Sequence, residues 1–420
     1  MRNGFLIRRA IQLGLVGDAI RPAPSSLASI PAFFAGWLTA ELAPHLLVLT
    51  AVDTAVHVAR RGTSGRSTKL GLVLAGLTVA GCVKLIADAQ RAKSEVEDAL
   101  RETLGTDYAK GLEREPTAAD LATPWGELVM PFRMTNHQVV RESNIAYADG
   151  GSRYRLDVYH GREHQSGRPV LLQVHGGGWV IGHKAQQGVP LMQHMAERGW
   201  ICVAPNYPLS PKATWPEHVV ALKLAIAWVR ENIADYGGDP SFVAVTGGSA
   251  GGHLAALLAL TDQDKSWQPG FENADTSVQA CVPHYGVYDF AGQTGTKPAV
   301  ERRDSLLAKS VMKKKWRDDP ELFLAASPME RINPQAPPFF VIHGNLDTLV
   351  PVPEAREFVE RLRKVSTSPV VYAELAGAQH AFDIFPSIRS AHVVRGAERF
   401  LNWTYRQATG RGVPEPVEDA

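Results

Sequence analysis

The stretch Phe242 Val243 Ala244 Val245 Thr246 Gly247 Gly248 Ser249 Ala250 Gly251 Gly252 His253 Leu254 decides how this chain is read. Its first residues form an apolar run of strand length, its middle is a Gly-x-Ser-x-Gly turn, and a helix-forming run continues to Leu260. A serine at such a strand-turn-helix junction is lifted onto a strained elbow, and Gly247 and Gly251 supply the clearance that closely passing backbones need. The turn also sets Ser249 at the positive end of a helix, where an attacking oxygen and the charge it creates are favoured. Ser249 is the candidate nucleophile. A glycine-rich loop whose serine only caps a helix would share the pattern, so the surrounding motifs decide.

The first of them is His175 Gly176 Gly177 Gly178 Trp179, directly after the apolar run 170–174. Consecutive glycines leave backbone N–H groups unshielded, which acyl transfer needs when a carbonyl oxygen becomes an oxyanion. Gly177 and Gly178, with the amide of Ala250, are the candidate donors. A flexible loop or a phosphate cradle would also use glycines, but no Gly-Lys-Ser/Thr ending follows. Further on, Asp347 follows the run 339–342, and His380 follows the run 370–375. The order Ser249, Asp347, His380 fits a triad in which His380 takes the serine proton and Asp347 holds the imidazole. Asp289 is the rival acid, ranked lower because it precedes the excursion 288–337 rather than following the seventh strand. His253 and His343 read as structural.

The region 135–405 resembles the hormone-sensitive-lipase family of α/β-hydrolases through 175–179, 206–216, 247–252, Asp347 and His380, and the whole chain is similar to mycobacterial Lip-type carboxylesterases. The resemblance implies ester hydrolysis through an acyl-enzyme, no cofactor, and a cap built from N-terminal residues and an excursion between strands. Two positions depart from it. The residue before the nucleophile, often Asp or Thr, is Gly248, and the position three after the acid, often acidic, is Val350. The expected activity is a serine carboxylesterase or lipase acting on short to medium acyl esters. Amide or formamide hydrolysis on the same triad is the alternative, and a non-catalytic, membrane-anchored binding protein on this fold ranks third.

Around these motifs, short apolar runs at 201–204 and 278–283 alternate with helical stretches near 186–197, 218–232, 353–364 and 387–406, which predicts a mostly parallel, doubly wound sheet. The segments 139–147 and 154–159, separated by Asp149 Gly150 Gly151 Ser152, predict an antiparallel hairpin before it. The catalytic domain is expected over 116–408, with a disordered tail over 409–420.

Residues 1–115 have another texture. Arg2, Arg8 and Arg9 flank a short apolar stretch that Asp18 and Pro22 interrupt, without a cleavage site of signal-peptide type. The segment 31–58 is apolar but carries Glu41, His45 and Asp53. After a basic loop, 70–83 holds no charge. The stretch 70–87 barely reaches the roughly twenty apolar residues that crossing a bilayer takes. A membrane hairpin, an interfacial anchor and a helical cap are the three readings, with membrane association ahead of a cytoplasmic, wholly soluble cap. The run 88–107 reads as a solvated continuation of the second helix.

The 44 basic and 43 acidic side chains nearly cancel, so no global charge points to nucleic acid. Cys82, Cys202 and Cys281 lie far apart in apolar runs, which fits neither a disulfide framework nor a metal site.

Overall fold

Eight strands form one sheet: β1 (Val139–Ala146), β2 (Arg155–Gly161), β3 (Arg168–Val174), β4 (Ile201–Pro205), β5 (Gly238–Gly248), β6 (Ala280–His284), β7 (Phe339–Gly344) and β8 (Val370–Leu375). Their spatial order is β1-β2-β4-β3-β5-β6-β7-β8. The pairs β1–β2 and β2–β4 are antiparallel and all others parallel. This is the α/β-hydrolase architecture, and the computed structural model describes it over residues 3–22, 29–110, 112, 115–163 and 166–413.

Each inner strand is apolar on both faces because helices cover both. Along β3, Val170, Leu172 and Val174 enter one core and Leu171 the other, as a two-residue repeat requires. The first core is roofed by helices over Glu217–Asn232, Ala250–Leu260 and Pro353–Val365. The second is roofed by Val189–Glu197, Ile388–Thr409 and part of the N-terminal region.

That region contributes α1 (Gly4–Ile20), α2 (Ser29–Glu41), α3 (Ala43–Arg61) and α4 (Arg66–Leu104). Counting onward, α5 is Trp125–Leu128, α6 Val189–Glu197, α7 Glu217–Asn232, α8 Ala250–Leu260, α9 Lys297–Arg302, α10 Pro320–Ala325, α11 Pro353–Val365 and α12 Ile388–Thr409. The opening stretch is continuous helix through Asp18 and stops before Pro22, so its polar residues do not break it. The 39-residue α4 absorbs most of the charged run 88–107. It is not simply solvated: Ala89, Ala92, Val96, Ala99 and Leu100 form a buried face, and a Cβ on Gly396 of α12 would stand 2.2 Å from Val96. Of the tail expected beyond 408, Thr409 closes α12 and Val413 is buried, while residues 414–420 lie outside the described ones.

The N-terminal helices grip the loop after β8. Glu41 of α2 pairs with Arg389, both fully buried, and accepts from Ser387 Oγ at 2.6 Å. Arg389 also donates to the Ala376 carbonyl at 3.1 Å, and Glu95 of α4 accepts from the Ala376 amide at 3.0 Å. Breaking a buried pair strands a charge, so Arg389→Met should destabilise the fold by about 3–5 kcal/mol. Adding Glu41→Gln should recover part of that loss. Denaturation midpoints test both, and an unchanged midpoint in Arg389→Met would contradict the clamp.

Candidate active site

At the end of β5, Ser249 has φ 59° and ψ −123°, a left-handed conformation that strains any residue with a side chain. Close packing enforces it. A Cβ on Gly247 would lie 2.6 Å from the Val174 carbonyl oxygen, and one on Gly251 only 2.2 Å from the same atom. Ser249 makes no side-chain capping bond to α8, so the helix-cap reading of the serine does not describe it. Its neighbour Ala250 begins α8 and is buried.

Because Val174 pairs in register with Gly247, the chain leaving β3 must pass beside Ser249. A Cβ on Gly176 would stand 3.1 Å from the Ser249 Cβ. Gly177 has φ 112° and Gly178 φ 58°, conformations that favour glycine. The Gly176 amide is taken by Gln187 Oε1 at 2.6 Å. Among the described residues, the amides of Gly177, Gly178 and Ala250 donate to no protein acceptor, and both glycines line the same cavity as Ser249.

His380 and Asp347 follow β8 and β7. His380 Nδ1 lies 2.6 Å from Asp347 Oδ2, with both side chains buried. The other carboxylate oxygen accepts the amides of Leu349 and Val350 at 2.9 and 2.8 Å. Burial alone would raise the Asp347 pKa, but the His380 charge and the His343 and His380 hydrogen bonds outweigh it and hold it well below the usual carboxylate range. His343 sits 3.3 Å from Asp347 Oδ2 and donates to the Val350 carbonyl at 2.7 Å, so it steadies the acid. Buried Gln379 ties the two loops together, its Oε1 accepting the amides of Thr348 at 2.7 Å and His380 at 2.9 Å.

The rival residues are engaged elsewhere. Asp289 accepts the amides of Gln293 and Thr294 and the Thr294 hydroxyl. His253 accepts from Trp179 Nε1 at 3.2 Å and donates to the Ala326 carbonyl at 2.8 Å, and burial lowers its pKa to about 3.

A cavity of about 860 Å³ joins Ser249, Asp347 and His380. Two of its walls are not legible in the sequence as site residues. One is α2, whose Ile30, Phe33, Phe34 and Trp37 line the cavity, with Phe33 edge-on to the His380 ring at 5.9 Å. The other is Tyr285, whose ring lies 4.6 Å from that of His380. Tyr285 donates to Asp383, which also meets His284 Nδ1. The aromatic cluster Phe33, Phe34 and Trp37 is the available signal for the first wall; for the Tyr285 network, spread over 98 residues, no local signal exists. The excursion adds Lys297, Glu301 and Arg302 on a polar side.

The BD-FAE family profile matches residues 156–362. The chain is 41% identical to the probable carboxylic ester hydrolase LipM of Mycobacterium tuberculosis, covering 99% of this chain and 96% of that one. It is 45% identical to the esterase LipQ of the same organism over 77% of each chain. Among solved structures, an esterase from Thermogutta terrifontis superposes with a TM-score of 0.53 at 24% identity, over 68% of this chain and 98% of its own, a likeness of fold.

Gly248 has a physical cause. A Cβ there would lie 2.6 Å from the Tyr285 hydroxyl and 2.8 Å from its ring, so this chain trades a side chain before the serine for an aromatic wall. Gly248→Thr should cost about 1–3 kcal/mol through overpacking and lower turnover. In a Tyr285→Ala background the same change should cost less. Melting temperatures and kcat/KM for the four proteins check this, and an equal penalty in both backgrounds would clear Tyr285 of excluding the side chain.

Proposed function

We propose, from the premise that the chain belongs to the family of carboxylic ester hydrolases that LipM and LipQ represent, that Ser249, His380 and Asp347 carry out its hydrolysis of carboxylic esters. The observation that carries the assignment is one cavity holding the strained serine, the histidine–aspartate pair and the unpaired loop amides. Ser249 Oγ attacks the ester carbonyl carbon as its proton passes to His380 Nε2, because Nδ1 is committed to Asp347. The carbonyl oxygen gains charge and accepts hydrogen bonds from the amides of Gly177, Gly178 and Ala250. Collapse of the tetrahedral intermediate breaks the bond to the alcohol, which leaves with the proton from His380. Water then attacks the acyl-enzyme by the same route and releases the acid.

The cavity of about 860 Å³ must hold acyl and alcohol portions together, which favours short to medium acyl chains. Membrane association through the N-terminal helices belongs to the same reading. The window within α4 has mean hydropathy 2.1 with only 33% of it buried, and most large apolar side chains left exposed come from α1 to α4.

Ser249→Ala should reduce turnover by on the order of a million-fold and abolish labelling by a fluorophosphonate, with the fold retained. Labelling that persists on another serine would move the nucleophile. Asp347→Asn should lower kcat by on the order of ten-thousand-fold by favouring the wrong imidazole tautomer. Asp289→Asn should instead act on stability, and the reverse ranking would hand the acid role to Asp289. An acyl-series assay from acetyl to palmitoyl esters checks the chain-length reading, which a maximum at the longest chains would overturn.

A further inference from the structure

The N-terminal bundle combines a buried cation with outward-facing apolar side chains. Arg9 of α1 is buried, with its Nη2 2.7 Å from Asp53 of α3, and the Thr50 hydroxyl lies 3.4 Å from Gln12 Oε1. Small residues make the helix contacts: a Cβ on Gly71 would stand 2.6 Å from Phe5, and one on Gly81 2.3 Å from Val16. Facing outward instead are Val52 at 56%, Val73 at 59% and Leu77 at 52% exposure. Asp53 also pairs with Arg8, which is 53% exposed, so the ion pair reaches the bundle surface; close contacts at glycines with large apolar side chains left outside are the pattern of helices packed in lipid.

Within the bundle, Val16, Ala19, Ala40, Ala43, Cys82 and Leu85 form a small core of their own. The bundle's far end carries the exposed turn with Arg60, Arg61, Arg66 and Lys69, suited to anionic headgroups. From Leu70 to Ala87, α4 rises about 27 Å at 1.5 Å per residue, close to the hydrocarbon thickness of a bilayer. The same helix then continues into the core beneath β8 and α12, so bundle and cavity keep a fixed relation.

At the base, α2 turns from α3 by 78°. If α3 stands across the bilayer, α2 lies along its surface. Ile30, Phe34 and Leu38 repeat every four residues and are 61%, 53% and 39% exposed. The first two line the cavity together with Phe33 and Trp37, which face inward towards His380 and Phe385. Beside them the segment 129–132 exposes Met130 at 60% and Phe132 at 66%, with Phe132 packed on Phe385 at 5.2 Å and the Val129 carbonyl 3.4 Å from His45 Nε2 at the start of α3.

Resting on the membrane reading of the proposed function, we infer that the rim formed by α2 and the segment 129–132 lies in the lipid interface and that the cavity mouth opens onto the leaflet. The substrate class this fits is an amphiphilic ester presented by a bilayer, its carbonyl at the depth of the headgroup–acyl boundary. Water-soluble esters enter the same cavity without that guidance.

The test uses full-length protein reconstituted with vesicles of phosphatidylcholine and phosphatidylglycerol. Leu38→Asp combined with Met130→Asp alters two exposed residues that do not line the cavity. Turnover of a soluble butyrate ester should match the parent, whereas hydrolysis of a fluorogenic ester anchored in the vesicles should fall by about tenfold or more. Flotation with vesicles should persist, because the bundle is intact. A variant that floats and cleaves the anchored ester at the parental rate overturns the rim assignment alone. An equal loss on both substrates also overturns it, since the residues would then support the fold rather than face lipid. A parent that neither floats nor withstands carbonate extraction in the membrane fraction refutes membrane attachment itself.

Discussion

The structure depends on three backbones meeting with no room for a side chain. Where β3 ends, β5 turns and α8 begins, the Val174 carbonyl oxygen occupies the place of a Cβ on both Gly247 and Gly251. Strain of this kind costs about 1–3 kcal/mol and persists only where the surroundings over-determine it. Here they do, because α8 is buried along its whole length and β5 lies between two parallel neighbours. The register of Val174 with Gly247 then fixes where both strands exit, so that the glycine loop leaves β3 beside the serine that ends β5. A slip of one residue would invert the core faces of β3 and separate the two at the same time.

Asp347 and His380, the proposed acid and base, follow β7 and β8 at one edge of the sheet under a similar constraint. A Cβ on Gly344 would stand 2.4 Å from the Ala378 carbonyl oxygen, so the loops after β7 and β8 pack backbone to backbone, and Gln379 joins them. The second loop is further held by Glu41 and Glu95 of the N-terminal helices. The first hundred residues are therefore not a bead on a string. They supply a wall of the cavity and a brace for the loop that bears His380.

Much of this is legible in the sequence because it is local. Each strand announces itself by apolar runs bounded by turns, and the chain order of Ser249, Asp347 and His380 follows strand ends without knowledge of their distances. The illegible parts depend on partners distant in sequence. Asp18 and Pro22 look like interruptions of a short apolar stretch and Arg9 like a flanking charge, until α1 is seen to run through Asp18 to Ile20 and Asp53, 44 residues away, to pair with Arg9. The charged half of α4 looks solvated because the face carrying Ala92 and Val96 is thin in sequence and meaningful only against Gly396 and Phe340. Tyr285 reads as one more buried aromatic until Gly248 and His380 are found on either side of its ring.

The N-terminal bundle and the cavity are two ends of one mechanical element. A soluble cap would turn its charges to water and its valines to the protein. This bundle leaves Val52, Val73 and Leu77 exposed, yet it runs without a break into the core through α4. An unbroken helix fixes angle as well as distance, so a bilayer plane set by the outer valines would also set that of α2, bent 78° from α3 at the cavity rim. Selection among esters then has two separable sources. The cavity sets what fits around Ser249, and in the proposed membrane-attached arrangement the bilayer plane would set which carbonyls come within reach of it.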